Sequence, residues 1–393
     1  MLWVPVLLAL LVVLGSLYAT YYLVRVVSPP KIITSNKKMR RFLEEHCPVL
    51  YQSYWPTFWA FQAHIQTISR VFLQSWPSIT MKRERIILSD GGHICLDWCN
   101  EMDTVEDSES CRPTVIILPG LSGSSGENYI SHFLKDMSEC NYRSVVFNYR
   151  GCGNTGLSTP VLYCAGNVDD LHEAIDHIKQ RFPKSPLIAA GTSLGGIQII
   201  CYLNECYKLK KDPQLIAAFT ISVPWNLHIA TSRIHQPISR YTINAFLTNK
   251  IRQILKRNQD IFSDRKNLSF DYDTVMKCYC FEDLERHLSC PMFGFKNSVA
   301  LRDHGSPHSR VDGITIPLLC LNSEDDPFCP TVAIPEDDIL NNENITLAIT
   351  SKGGHVAFMQ GALPFGKNLM DHTLMQFTKA MFHHQHELQQ SSS

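Results

Sequence analysis

The chain of 393 residues has almost no net charge: 36 Lys and Arg stand against 37 Asp and Glu, for a formal −1 at pH 7. That balance excludes a polyanion-binding surface built on bulk charge, so nucleic acid is not an expected partner. No G-x-G-x-x-G or Walker-type loop accompanies a strand, and no nucleotide cofactor is implied. The 14 cysteines have no metal-type spacing. Cys278-Tyr-Cys280 reads as packing thiols and His383-His384-Gln385-His386 as a solvated helix end, so neither metal nor other cofactor is expected. Cys140, Cys201 and Cys320 sit in apolar surroundings that suit buried thiols. Low-complexity runs and internal repeats are missing too. With 45% hydrophobic and 19% charged residues, the composition is that of a globular protein with a buried core.

Charge is also missing from Leu2 to Val24, LWVPVLLALLVVLGSLYATYYLV. Roughly 20 helical residues cross a hydrocarbon core of about 30 Å, so this stretch reads as a membrane anchor over 1–24. A cleaved signal peptide is the competing reading, but it expects a basic start and a shorter apolar stretch. The bilayer is thus an expected partner, with an endomembrane such as the endoplasmic reticulum as the expected location. Which side the remainder occupies stays open. Arg25, Lys31, Lys37, Lys38, Arg40 and Arg41 follow the span and favour the cytosol. The sequons Asn267-Leu-Ser269 and Asn344-Ile-Thr346 matter only on the lumenal side.

Residues 25–84 form a segment rich in aromatics: Tyr51, Tyr54, Trp55, Phe58, Trp59, Phe61, Phe72 and Trp76. These rings pack into a core or mark an interfacial surface beside the span. From residue 85 to 384 the pattern becomes strands and helices in alternation. Ile86 to Ser89 and Ile94 to Trp98 flank the turn Asp90-Gly91-Gly92 as a hairpin. Thr114 to Leu118, Ser144 to Asn148, Leu187 to Gly191 and Ile216 to Ser222 are continuous apolar strands, as expected where both sheet faces are covered. Helix-sized segments, Ser131 to Cys140 and Asn167 to Arg181, lie between them. Such alternation predicts an α/β fold with a mostly parallel central sheet flanked by helices. About 227–312 the alternation stops in a polar, helix-biased stretch broken by Pro237 and Pro291, read as an insertion or lid. Strands resume at Leu318 to Asn322 and Ile345 to Ile349. A terminal helix follows around Met370 to His384, then a polar tail, 385–393.

Gly191-Thr192-Ser193-Leu194-Gly195 matches the G-x-S-x-G nucleophile elbow. Five letters are a weak signal. An apolar strand leading in and an apolar helix, Ile197 to Leu203, leading out supply the context that the turn requires. A serine hydroxyl needs a histidine to take its proton. Among 16 histidines, His355 in Gly353-Gly354-His355 follows the last strand, where a loop carries an imidazole over the sheet edge. The acid that orients it is expected between serine and histidine, in Leu319-Cys-Leu-Asn-Ser-Glu-Asp-Asp-Pro-Phe-Cys-Pro330. Asp326 is favoured there, with Asp325 as rival. The order Ser193, Asp326, His355 is that of α/β-hydrolases. Oxyanion donors are expected from the backbone N–H of Leu121, in Leu118-Pro119-Gly120-Leu121, and of Leu194. An ordinary Pro-Gly turn is the plainer reading of that loop.

Further motifs sharpen this picture. His46-Cys47-Pro48, Tyr54-Trp-Pro-Thr-Phe-Trp59, Leu96-Asp97-Trp98, Asn148-Tyr-Arg-Gly151 and Gly191-Thr-Ser-Leu-Gly-Gly196 occur in one chain with Asp325-Asp-Pro327 and Gly353-Gly-His355 before Phe358. Together they resemble the membrane-anchored α/β-hydrolase-domain proteins, a group similar to bacterial YheT-type esterases and vertebrate phospholipases. The resemblance spans most of the chain. It implies a signal anchor, a triad of Ser193, Asp326 and His355, and hydrolysis of lipid esters, including phosphatidylcholines with medium-length or shortened acyl chains. Thr192 in the elbow is a small departure. A monoacylglycerol or simple-ester lipase is the alternative activity, and a non-catalytic lipid-binding or receptor-like protein the alternative class, because fold alone does not prove chemistry.

Overall fold

The computed structural model describes residues 3–99 and 110–389. Nine strands are present among them: β1 (Lys31–Ile33), β2 (Met81–Ile87), β3 (His93–Cys99), β4 (Thr114–Leu118), β5 (Arg143–Asn148), β6 (Leu187–Thr192), β7 (Ala217–Ile221), β8 (Leu318–Ser323) and β9 (Ile345–Thr350). They form one sheet in the order β1-β9-β8-β7-β6-β4-β5-β3-β2. Strands from β5 to β9 pair in parallel, while β1, β2 and β3 join antiparallel. Every residue of β4 to β9 is buried. Their largely apolar centres follow from cover on both faces.

Side chains alternate between those faces. On β4, Ile116 and Leu118 join one core with Trp98, Phe147, Ile175 and Leu203. Val115 and Ile117 join the other, with Phe42, Phe133, Phe219 and Phe377. Helices α1 (Trp3–Tyr21), α2 (Lys37–His46), α3 (Ala63–Leu73), α4 (Asn128–Glu139), α5 (Asp169–Arg181), α6 (Leu194–Leu209) and α7 (Leu227–Ile234) punctuate the chain. Of these, α5 and α6 cover the first face. The second is covered by α2, α4 and the terminal helix Leu369–His384.

Two strands depart from the sequence reading. β1 was not expected, since three residues carry too little periodicity to register; it is held by pairing with β9, Lys31 opposite Ile349. β2 begins at Met81 rather than Ile86, because its charged start has partners. Arg83 pairs with Asp97 at 2.7 Å, and Glu84 accepts from Arg181 and from the Trp98 indole. The exposed charges also suit an edge strand that must not pair further.

The segment 227–312 folds as short helices over the sheet, from α7 to the turn Pro307–Gly313. Pro237 sits in the first turn of its helix, where no N–H is needed, and Pro291 directly follows the π-helical turn Glu285–Ser289. Beyond the terminal helix, His386–Gln389 is helical; residues 390–393 of the polar tail, and 1–2 of the anchor, lie outside the described residues.

Among the described residues one helix is long and apolar enough to cross a membrane by length and composition, Trp3–Val26, with mean hydropathy 2.1 and no burial against the rest of the protein in its apolar window. Its 24 residues span about 36 Å. Tyr18 and Tyr22 at its far end donate hydroxyls to the carbonyls of Phe58 and Pro56, and the Phe61 ring approaches Tyr18 and Tyr21. The aromatic segment therefore divides. Tyr54 enters the core, whereas Trp55, Phe58, Trp59, Phe72 and Trp76 remain exposed.

Cys201 and Cys320 are buried as expected, but Cys140 is half-buried, at the end of α4 with its sulfur toward Met375. Asn267 is exposed. Asn344 commits its amide to the Ile314 carbonyl at 3.0 Å.

Candidate active site

β6 runs into α6 through Ser193, whose backbone adopts φ 53°, ψ −112°. An L-residue rarely adopts a positive φ, and here the surrounding turn imposes it. The elbow is tight. A Cβ on Gly191 would lie 2.5 Å from the Gly195 carbonyl, and one on Gly195 would strike the Leu118 carbonyl. The Ser193 N–H donates to Ile221 at 2.8 Å, tying the turn to β7.

Loops after β8 and β9 deliver the other two residues. His355 Nε2 is 2.9 Å from Ser193 Oγ, and His355 Nδ1 is 2.9 Å from Asp326 Oδ2. The Asp326 carboxylate is buried and also accepts N–H bonds from Phe328 at 2.7 Å and Cys329 at 3.2 Å. Asp325 has a different task. Its Oδ1 accepts the Gly354 N–H at 3.0 Å, and burial pushes its pKa up against the pull of that bond and of Lys352. The two adjacent acids thus hold the ring and the backbone of one histidine loop.

Gly120 and Ser122 donate their N–H groups to the hydroxyls of Tyr129 (3.1 Å) and Tyr163 (3.0 Å). Leu121 lies between them. Among the described residues its N–H has no protein acceptor, and neither does that of Leu194, the first residue of α6. First-turn N–H groups lack helical partners by construction. Both leucines line the cavity that Ser193 and His355 face.

That cavity is about 560 Å³. Its floor is the sheet edge, and its roof comes from the insertion, including Ile234, Phe246, Ile251, Leu288 and Met292. Such a shape fits an acyl chain.

Several neighbours escaped the sequence reading. Thr67 on α3 accepts the His355 N–H on Oγ1 at 2.9 Å, and Ser222 Oγ accepts that of Val356 at 3.0 Å. Val356 and Ser222 both have positive φ. Tyr129 lies under the Leu121 loop, its own pKa raised by burial. No sequence motif marks these residues, since each acts across long separations. The Asp90 and Arg150 motifs are structural: Arg150 bridges Asp90 and Asp170 at 2.6 Å each. Outside the cavity, His384 does not stand alone in solvent: His46, His384 and Glu387 converge, the carboxylate bonding both rings at 2.9 and 3.0 Å.

Known proteins fit this arrangement. Phospholipase ABHD3 of Homo sapiens is 37% identical over 372 residues, covering 94% of this chain and 89% of its own. Protein abhd-3.2 of Caenorhabditis elegans is 28% identical, covering 95% and 97%. A monoacylglycerol lipase of Saccharomyces cerevisiae is 29% identical over 65% of this chain and 56% of its own. The family model described as alpha/beta hydrolase fold matches residues 113–362, more than half of the sequence, and the chain belongs to that family.

Proposed function

We propose that the protein is a membrane-anchored serine hydrolase that cleaves carboxylic ester bonds of lipids, with phosphatidylcholines of medium-length or shortened acyl chains as the favoured class. The observation that carries this reading is the continuous hydrogen-bonded chain Ser193–His355–Asp326 opening on an apolar cavity. In the proposed cycle His355 Nε2 takes the Ser193 proton as Oγ attacks the ester carbonyl. Asp326 holds the ring with Nδ1 protonated and stabilises the imidazolium. The N–H groups of Leu121 and Leu194 receive the oxyanion, an interaction in which one donor is worth about 3–4 kcal/mol. His355 then returns the proton to the leaving alcohol, and water repeats the sequence on the acyl-enzyme.

The likeness to a phospholipase over nearly the whole chain supports the substrate class. The likeness to a monoacylglycerol lipase keeps that activity as the second reading. Trp3–Val26 would hold the cavity beside an endomembrane, where such lipids reside.

The test is a panel of phosphatidylcholines and monoacylglycerols presented to the full chain in nanodiscs, wild type against Ser193→Ala. Turnover of phosphatidylcholine that vanishes in the variant is expected. Turnover undiminished in Ser193→Ala would overturn the assignment, and turnover of monoacylglycerol alone would favour the second reading.

A further inference from the structure

Arg70 lies on α3, one turn beyond Thr67, and lines the same cavity as Ser193 and His355. It is only 7% exposed. A buried cation ordinarily has a carboxylate partner, because desolvation of a lone charge is costly. Arg70 has none within 4 Å among the described residues. Its Nη1 donates to two neutral amide oxygens, Asn128 Oδ1 at 2.6 Å and Gln74 Oε1 at 3.3 Å, and its Nε has no partner among the described residues. The guanidinium stacks 5.0 Å from the centre of the Tyr129 ring.

Glu127 and Asp371 act on it only across space, without a direct contact. Asp371 is bonded to the Asn368 N–H, and burial pushes its carboxyl up to about 8, so it is largely protonated at neutral pH. Asp136 is bound to Lys367. Glu127 is half-buried on the cavity wall without an ion pair to Arg70. By contrast, Arg302 in the roof is neutralised by Glu285, which accepts from its Nε at 2.9 Å.

Position adds to charge. Thr67 touches the His355 loop, and Tyr129 touches the Leu121 loop. Arg70 therefore sits between the two loops that face Ser193, about one helical turn from the first. We propose that Arg70 is the subsite for the phosphodiester of a phospholipid substrate, its fork receiving the phosphate while the ester carbonyl lies at Ser193. This rests on the phospholipase reading and adds the residue that would separate phospholipids from neutral glycerides. Arginine suits the task because its donors match phosphate oxygens in pairs.

The experiment compares Arg70→Gln and Arg70→Lys with wild type in nanodiscs, on phosphatidylcholine and on diacylglycerol with the same acyl chains. For Arg70→Gln, kcat/KM on phosphatidylcholine should fall at least about tenfold more than on diacylglycerol, mostly through KM. Arg70→Lys, which keeps the charge but loses the fork, should fall between. Equal losses on both lipids would mean that Arg70 only supports Tyr129 and would overturn the proposal, as would no loss on phosphatidylcholine. If Arg70→Gln does not fold, the same ratio is read from Arg70→Lys. Wild type inactive on phosphatidylcholine but active on diacylglycerol would instead sink the phospholipase reading.

Discussion

Asp371 shows how burial sets a residue's chemistry. It closes a capping box at the start of the terminal helix, where its Oδ2 accepts the Asn368 N–H at 2.7 Å. Desolvation overrides that bond and raises its pKa to about 8. The folded value then lies above the unfolded one, so the folded protein holds the proton more tightly. Stability from this group is full below the ordinary carboxylate range and falls as pH rises toward 8. Asp371→Asn keeps an acceptor for Asn368 and removes the titration. Thermal unfolding should show the variant gaining more over wild type near about pH 7.5 than near about pH 5. An equal difference at both would place the proton elsewhere. Asp326 has the opposite surroundings, with two N–H donors and an imidazole on its carboxylate.

At the scale of elements, α3 is the part of the site furthest in sequence from His355. Thr67 binds the His355 N–H and Ala63 lies against Gly354, so α3 buttresses the loop that carries the imidazole. Thr67→Val leaves that N–H without its acceptor, a cost of about 1–3 kcal/mol. Expressed in the misaligned histidine, it lowers kcat by about tenfold to a hundredfold with KM little changed. A fall in KM-dependent binding alone would give Thr67 a role toward substrate instead. Such contacts were closed to the sequence, because α3 and the His355 loop are nearly three hundred residues apart and no periodicity joins them. The parallel strands were legible for the converse reason. β4, with four consecutive apolar residues after Thr114, announces cover on both faces, and the elbow glycines announce a turn that tolerates no Cβ. β1 and the charged start of β2 were not legible, since pairing and ion pairs hold them in place of hydrophobic pattern. The sequence favours Asp326 over its neighbour Asp325 but does not exclude the rival. Only the fold turns one carboxylate to the ring and the other to the Gly354 amide.

Taken whole, the molecule sets an apolar cavity beneath a helical roof and joins it, through an exposed aromatic segment, to a helix of membrane-crossing length. Trp55, Phe58 and Trp59 lie at the foot of that helix, where rings favour the headgroup region. From there the chain leads directly into α3 and the cavity wall. All of this is idle without an activated serine. The most direct measurement is fluorophosphonate labelling of the full chain in nanodiscs, wild type beside Ser193→Ala. Labelling of the wild type and its loss in the folded variant is the expected result. A folded wild type that resists the probe, or a variant labelled as strongly, would contradict the chemistry assigned to Ser193 and leave a lipid-binding protein on a hydrolase scaffold.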